Sequence, residues 1–288
     1  MIVRRFQHNP IIRPDMDPRM GSNINGPSLI RIPDWVPNPL GKYYLYFAHH
    51  EGTYIRLAYA DNLEGPWQIH EPGVLDLADS GFSHHVASPD VHVLEDRREI
   101  RMYFHGCCQP QPPHQVTRLA VSGNGLDFQV NPLVLGKFYW RVFRWRDHWY
   151  TLEMPGRFRR SKNGLSDFEE GPNPFTPGMR HSAVRLVGDR LTVLYSTVGD
   201  APECLQWTSI QLSPDWNDWK IEEPRGLLVP ETDWEGADCT LEPSKIGAIH
   251  YRVRQLRDPC LFQDGDRTYL LYSVAGEHGL AIGELLPG

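Results

Sequence analysis

One pattern recurs along this chain and constrains its fold more than any single motif. A polar or charged residue opens a short apolar strand, a tight polar turn follows, and a second strand of alternating apolar residues returns. The clearest copy lies near the end, Arg257-Asp258-Pro259-Cys260-Leu261-Phe262-Gln263-Asp264-Gly265-Asp266-Arg267-Thr268-Tyr269-Leu270-Leu271-Tyr272-Ser273. Earlier copies begin at Asn25-Gly26-Pro27-Ser28, Ser88-Pro89-Asp90-Val91, Tyr139-Trp140-Arg141-Val142 and His181-Ser182-Ala183-Val184. Alternation with period two, richness in Tyr, Val and Leu, and Gly-Asp or Gly-Lys turns identify β-hairpins.

Repeats of roughly 40 to 75 residues, each worth about four strands, predict propeller blades. The expected fold is all-β: one five-bladed β-propeller spanning residues 1–288, with four-stranded antiparallel blades around a central channel. The blades fall at residues 25–75, 85–135, 138–175, 180–225 and 255–288. The last is short of chain, so a strand around Val3 to Phe6 is expected to complete it. An irregular two-sheet sandwich is the alternative.

Composition agrees with many short strands. Glycine and proline number 25 each, 40% of residues are hydrophobic, and no long helical period is present. The formal net charge of −7 and the absence of a dense Lys/Arg run argue against nucleic acid and anionic membranes as partners. No stretch is long and apolar enough to span a bilayer, and the first residues lack a signal-peptide pattern, so a cytoplasmic location is expected. Five cysteines without metal-ligand spacing suit reduced, buried thiols.

In a propeller, residues at the entrance of each innermost strand converge on the axis at one face, so the repeat itself predicts a site. The entrances carry Asn25 and Gly26, His85 with Asp90, Tyr139 to Arg141, Arg180 with His181, and Arg257 with Asp258. The adjoining rim carries His49, His50, His105, Glu153, Ser196 and Ser273 to Glu277. Asp90 and Asp258 are the carboxylates expected to flank the axis. Cleavage at a sugar's anomeric carbon uses a proton donor and a carboxylate. Glu153 and His181 are the candidate donors. Asn25, His49, His50, His85, His105, Trp140, Arg141, Arg180, Arg257 and Glu277 are the expected substrate contacts.

Ser88-Pro89-Asp90-Val91-His92 followed by Met102-Tyr103-Phe104, with Asn9-Pro10-Ile11-Ile12 and Gly41-Lys42-Tyr43-Tyr44-Leu45-Tyr46, resembles the family 43 glycoside hydrolases. These belong with the arabinanases, levansucrases and invertases among five-bladed propellers. The resemblance implies a first-blade Asp before Pro as base or nucleophile, a second-blade Asp that tunes it, and a third-blade Glu as acid. Asp90 matches the tuning Asp. The first blade reads Asn25-Gly26-Pro27, with an amide where the carboxylate is expected, and Tyr139-Trp140-Arg141 brings no acid to the third. Arg257-Asp258-Pro259 resembles the Arg-Asp-Pro of the invertases, whose Asp steadies the transition state. The resemblance also places a His near a central metal ion, the position of His181. No cofactor is required by this reading, although a structural calcium ion in the channel is compatible with it.

The expectation is therefore a glycosidase acting on an oligosaccharide at the channel mouth by carboxylate acid–base chemistry, with a re-dealt catalytic set. The alternatives are a lyase or other non-hydrolytic sugar enzyme working through His or Tyr with Arg, and a carbohydrate-binding propeller without catalysis. The sequence leaves the sugar, the linkage and the oligomeric state open.

Overall fold

The apolar hairpins of the repeat become the inner strands of five sheets. The computed structural model describes residues 1–108 and 115–288. A first strand, β1 (Ile2–Arg5), precedes the first sheet of β2 (Asn25–Arg31), β3 (Tyr43–Ala48), β4 (Tyr54–Ala60) and β5 (Gln68–Asp76). The second sheet is β6 (Val86–Leu94), β7 (Glu99–Cys107), β8 (Gln115–Ser122) and β9 (Gln129–Gly136). The third is β10 (Arg141–Trp145), β11 (His148–Glu153), β12 (Arg157–Ser161) and β13 (Glu169–Glu170). The fourth is β14 (Met179–Val187), β15 (Arg190–Thr197), β16 (Leu205–Gln211) and β17 (Arg225–Leu228).

The fifth sheet takes three strands from the end of the chain, β18 (Arg257–Asp264), β19 (Arg267–Ser273) and β20 (Leu280–Leu286). Its outer strand is β1, with Ile2 opposite Leu286 and Arg5 opposite Gly283. This pairing of the two ends closes the ring and protects the edge of β20. All strand pairs within the sheets are antiparallel. The first strands face one another around the axis: β2 lies against β6 and β18, and β14 against β10 and β18. This is the five-bladed propeller the repeat predicts. Among the described residues, no helix is long and apolar enough to cross a membrane.

Stability comes from the seams, because each blade presents an apolar face to the next. The seam between the fifth and first blades buries Phe47, Leu271 and Ile282, and that between the first and second buries Tyr44, Met102 and Phe104. Tyr103, Trp140 and Val142 fill the second-to-third seam. Phe158, Tyr150 and Trp219 fill the next, and Leu194, Leu270 and Tyr272 the last. Burying a side chain of this size is worth about 1.5–3 kcal/mol. The seams therefore hold the axis rigid enough to carry strained residues.

Candidate active site at the channel mouth

The first strand of a blade does not enter its sheet regularly. Register slips between Asn25 and Ser28 in β2, Ala87 and Asp90 in β6, Arg180 and Ser182 in β14, and Arg257 and Cys260 in β18. Inside each slip sits one residue in the left-handed region: Gly26 at φ 60°, Ser88 at 45°, His181 at 31° and Asp258 at 48°. Tyr139, two residues ahead of β10, has φ 56° and serves the third blade. A bulge re-aims a side chain, and a non-glycine residue held this way costs about 1–3 kcal/mol. Such strain persists where the surrounding packing over-determines it.

These five residues touch in sequence around the axis. A β-carbon on Gly26 would lie 3.0 Å from Ser88 Cα. The Tyr139 hydroxyl meets Ser88, and its ring centroid is 4.4 Å from that of His181. His181 Nδ1 is 2.7 Å from Asp258 Oδ1, and Ser273 donates to Asp258 Oδ2 at 3.0 Å. The X-Pro step shared by Gly26-Pro27, Ser88-Pro89 and Asp258-Pro259 is the sequence signal for this position. Trp140 replaces the proline in the third blade, which hides Tyr139.

The electrostatics give each group a definite protonation state. Burial pushes the Asp258 carboxyl up, but His181 beside it, and Arg180 further off, outweigh this and hold it below the ordinary range. His181 is 4% exposed; burial brings its imidazole down despite Asp258. The pair is therefore a neutral imidazole oriented by a carboxylate. Its Nε2 is buried with no hydrogen-bond partner among the described residues. Burial, with Asp258 and Glu277 nearby, pushes the half-buried Tyr139 phenol well up, so it keeps its proton.

A second, charged network lies beside this pair. Glu277 accepts from Asn23 Nδ2 at 2.5 Å and Asn25 Nδ2 at 3.4 Å, and its Oε1 lies 3.1 Å from Arg257 and 3.4 Å from His50 Nδ1. Burial opposes its ionisation, but His50 and Arg257 hold it well below the usual carboxylate range. Arg257 continues to Glu203 at 2.9 Å and Gln255 at 2.6 Å. Glu203 in turn accepts from Ser196 at 2.6 Å and lies 3.6 Å from Arg180. Three carboxylates, Asp258, Glu277 and Glu203, thus face two guanidiniums.

Neutral histidines complete the wall. The ring of His105 is 4.5 Å from Tyr139 and 6.0 Å from His85. Burial, then the neighbouring His50 and His84, bring His85 down to about 4, and burial with His85 takes His105 well below its usual value. His105 Nδ1 is buried without a hydrogen-bond partner among the described residues, and His85 reaches the side chain of Gln115. His49, brought to about 4 by burial and Arg56, packs on His250.

The structure thus gathers Asp258, His181, Glu277, Arg257, Arg180, His50, His85 and His105, and adds Tyr139, Ser88, Glu203, Asn23 and Gln255. It separates other expected residues from this set. Gly26, not Asn25, occupies the axis position of the first blade; Asn25 is buried against Asn23 and Glu277. Asp90 lies one step down β6 in the seam to the third blade. It accepts from Val142 N at 2.7 Å and contacts His92 Nε2 at 2.8 Å, with Arg141 3.7 Å away. Arg141 is held by the carbonyls of Ser182 and Pro89.

Glu153 is enclosed in the same seam, where its Oε2 accepts from Lys137 N, Trp140 Nε1 and Arg159 Nε. The Trp140 ring packs on Tyr103 and Phe168. A strand one residue out of register sends alternate side chains to opposite faces. Among the expected entrance residues, the bulges therefore leave Gly26 and Tyr139 at the axis and turn Asn25, Trp140 and Arg141 away from it. Among the described residues no three His, Cys, Asp or Glu side chains converge as a metal site, and no step below runs through an ion.

No family model matches the chain. It is 33% identical over 324 aligned positions to uncharacterized protein R118 of Acanthamoeba polyphaga mimivirus, covering 100% of this chain and 91% of that protein. Among solved structures it superposes on a family 43 β-xylosidase/α-arabinofuranosidase from a compost microbial metagenome, captured with xylotriose. The TM-score is 0.68 at 12% identity, over 100% of this chain and 96% of that one. A putative glycosidase from Bacteroides thetaiotaomicron gives a TM-score of 0.70 at 13% identity, over 98% and 96% of the two chains. The chain belongs to the family of the mimivirus protein and is built on the five-bladed, glycosidase-like propeller of the family 43 glycoside hydrolases.

Proposed function

We propose that the protein is a glycosidase that cleaves an oligosaccharide at the channel mouth, with Asp258 and His181 as its proton-transfer pair. The observation that carries this reading is the 2.7 Å contact between Asp258 Oδ1 and His181 Nδ1, which leaves Nε2 of a ring packed on Tyr139 buried and without a hydrogen-bond partner among the described residues. Asp258 fixes the tautomer, and Nε2 takes a proton from the attacking water. Asp258 and Glu277, both held ionised, favour the positive charge that develops on the sugar ring during cleavage. Tyr139 and the neutral His85 and His105 hydrogen-bond sugar hydroxyls.

A second reading, elimination, is supported by one feature. Asp258 and Glu277 are both held ionised, so neither carboxyl is kept protonated as a leaving-group acid. In that case His181 Nε2 removes a proton from carbon instead of water.

The test is a screen of aryl glycosides and of xylo- and arabino-oligosaccharides, with product analysis, run on the wild type, Asp258→Asn and His181→Asn. Hydrolysis gives a new reducing end alone, and elimination gives an unsaturated sugar absorbing in the near ultraviolet. The expected result is hydrolysis, with kcat lowered ~10³-fold in each variant. Full turnover in both variants rules out the pair as catalytic residues.

A further inference from the structure

The long connection between β17 and β18 crosses the channel mouth, and its backbone is bonded to the charged network beneath. Ser244 fastens one end to the fourth blade, its N–H donating to Asp200 O at 3.0 Å and its Oγ accepting from Gly199 N at 3.0 Å. The carbonyl of Lys245 accepts from Arg180 at 2.9 Å and that of Gly247 from Arg257 at 3.4 Å. The carbonyl of Ile249 accepts from Asn23 Nδ2 at 2.9 Å, while its N–H reaches Glu277 at 3.4 Å. His250 then packs on His49 of the first blade, and Val253 N donates to Ala275 O at 3.3 Å. The strap thus runs from the fourth blade over the fifth to the first.

Its packing is as close as its hydrogen bonding. A β-carbon on Gly276 would lie 2.7 Å from Val253 Cγ1 and 2.8 Å from Ile249 Cγ2, so the strap sits directly on the β19–β20 turn. Backbone carbonyls bonded to guanidiniums in this way are costly to release. Above it, Ile246 and Tyr251 are 78% and 57% exposed, so the outer surface of the strap belongs to solvent.

The consequence concerns the shape of the substrate. A linear chain lying across an open mouth needs free passage on both sides of the reacting bond. Here the side above Arg180, Arg257 and Glu277 is filled by the strap backbone, immediately beside Asp258 and His181. We infer that the mouth is a dead end that admits one terminus of an oligosaccharide, so that sugars are removed singly from a chain end and not by cleavage within the chain. This rests on the glycosidase reading and adds the substrate's mode of entry, with residues 244–253 as its determinant.

The experiment follows linear xylotetraose and arabinotetraose, each labelled at the reducing end, through the first tenth of the reaction. Single removal gives labelled trisaccharide as the first product, or labelled monosaccharide if the reducing end enters. Labelled disaccharide in comparable amount at the earliest times overturns the inference while leaving the glycosidase reading intact. Failure to cleave either tetrasaccharide overturns that reading, and the inference falls with it. Ile249→Gly, which unpacks the strap from Gly276 and alters no charge, is expected to raise the early disaccharide fraction several-fold. If that fraction stays at the wild-type level in a folded Ile249→Gly protein, the strap is not what closes the mouth.

Discussion

The channel mouth and the seam between the second and third blades both bury carboxylates, yet they do opposite things with them. In the seam, Glu153 Oε2 collects three donors, and Asp90 Oδ2 meets Val142 N and His92. These groups pin β6, β10 and β11 together, although Glu153 Oε1 is left buried without a hydrogen-bond partner among the described residues. At the mouth, Asp258 meets Ser273 and an imidazole whose far nitrogen has no partner among the described residues. Equal burial therefore says little about role. What separates the regions is the partner: donors fixed within one seam hold Glu153 and Asp90, whereas Asp258 pairs with an axis imidazole whose Nε2 has no partner among the described residues.

That contrast can be broken from either side. The largest effects belong to a reciprocal pair of substitutions. Asp258→Asn is expected to lower kcat ~10³-fold on whichever aryl glycoside the wild type turns over, while shifting the urea midpoint less than a seam substitution does. Glu153→Ala is expected to cost about 3 kcal/mol of stability, because it leaves Arg159 Nε, Lys137 N and Trp140 Nε1 without their acceptor. The kcat of the folded fraction should stay near wild type. A kcat loss in Glu153→Ala as large as that of Asp258→Asn would show that the seam belongs to the catalytic set.

A pH titration of stability sharpens the comparison next. His85 is neutral in the folded protein down to about 4, whereas an unfolded histidine takes up its proton near 6.5. Between those values the unfolded chain binds more protons, so stability falls as pH falls, by about 3 kcal/mol for this residue. His49 acts in the same window and direction. Glu277, held low, adds a further loss below about 4.5 as its carboxylate is forced to protonate. Urea midpoints measured from pH 7 to 4.5 should drop, and His85→Gln should flatten the curve. An unchanged slope in that variant would mean that His85 titrates normally.

The smallest expected effect concerns the empty axis position of the first blade. Gly26 sits at φ 60°, and an added β-carbon would meet Ser88 Cα at 3.0 Å. Gly26→Ala should cost about 1–2 kcal/mol from the left-handed backbone alone. Part of any excess over that should return in the double variant with Ser88→Gly, a coupling that thermal or urea unfolding can read. Simple additivity of the two changes would show that Ser88 does not fill the gap.

How much of this was legible beforehand differs by residue. Asp258, His181, Arg180, Arg257 and Glu277 were legible because a strand entrance or rim in a propeller must face the axis, whatever its sequence. Asn25 and Trp140 were placed by counting along regular strands, and the left-handed residues at the blade entrances moved the axis position by a residue. Tyr139 lacked the X-Pro step that marks its counterparts. Glu203 lies in a turn after Ala201-Pro202 without periodic pattern, so nothing local marks it.

The amino-acid sequence by itself determined the hairpins, their count and hence the ring of blades, because period-two alternation and turn chemistry are local properties of the backbone. Only the tertiary structure decided which buried carboxylate ties two blades together and which pairs with a histidine at the axis. That depends on side chains brought together from four or five blades, and on a strap anchored by backbone carbonyls that carry no residue identity.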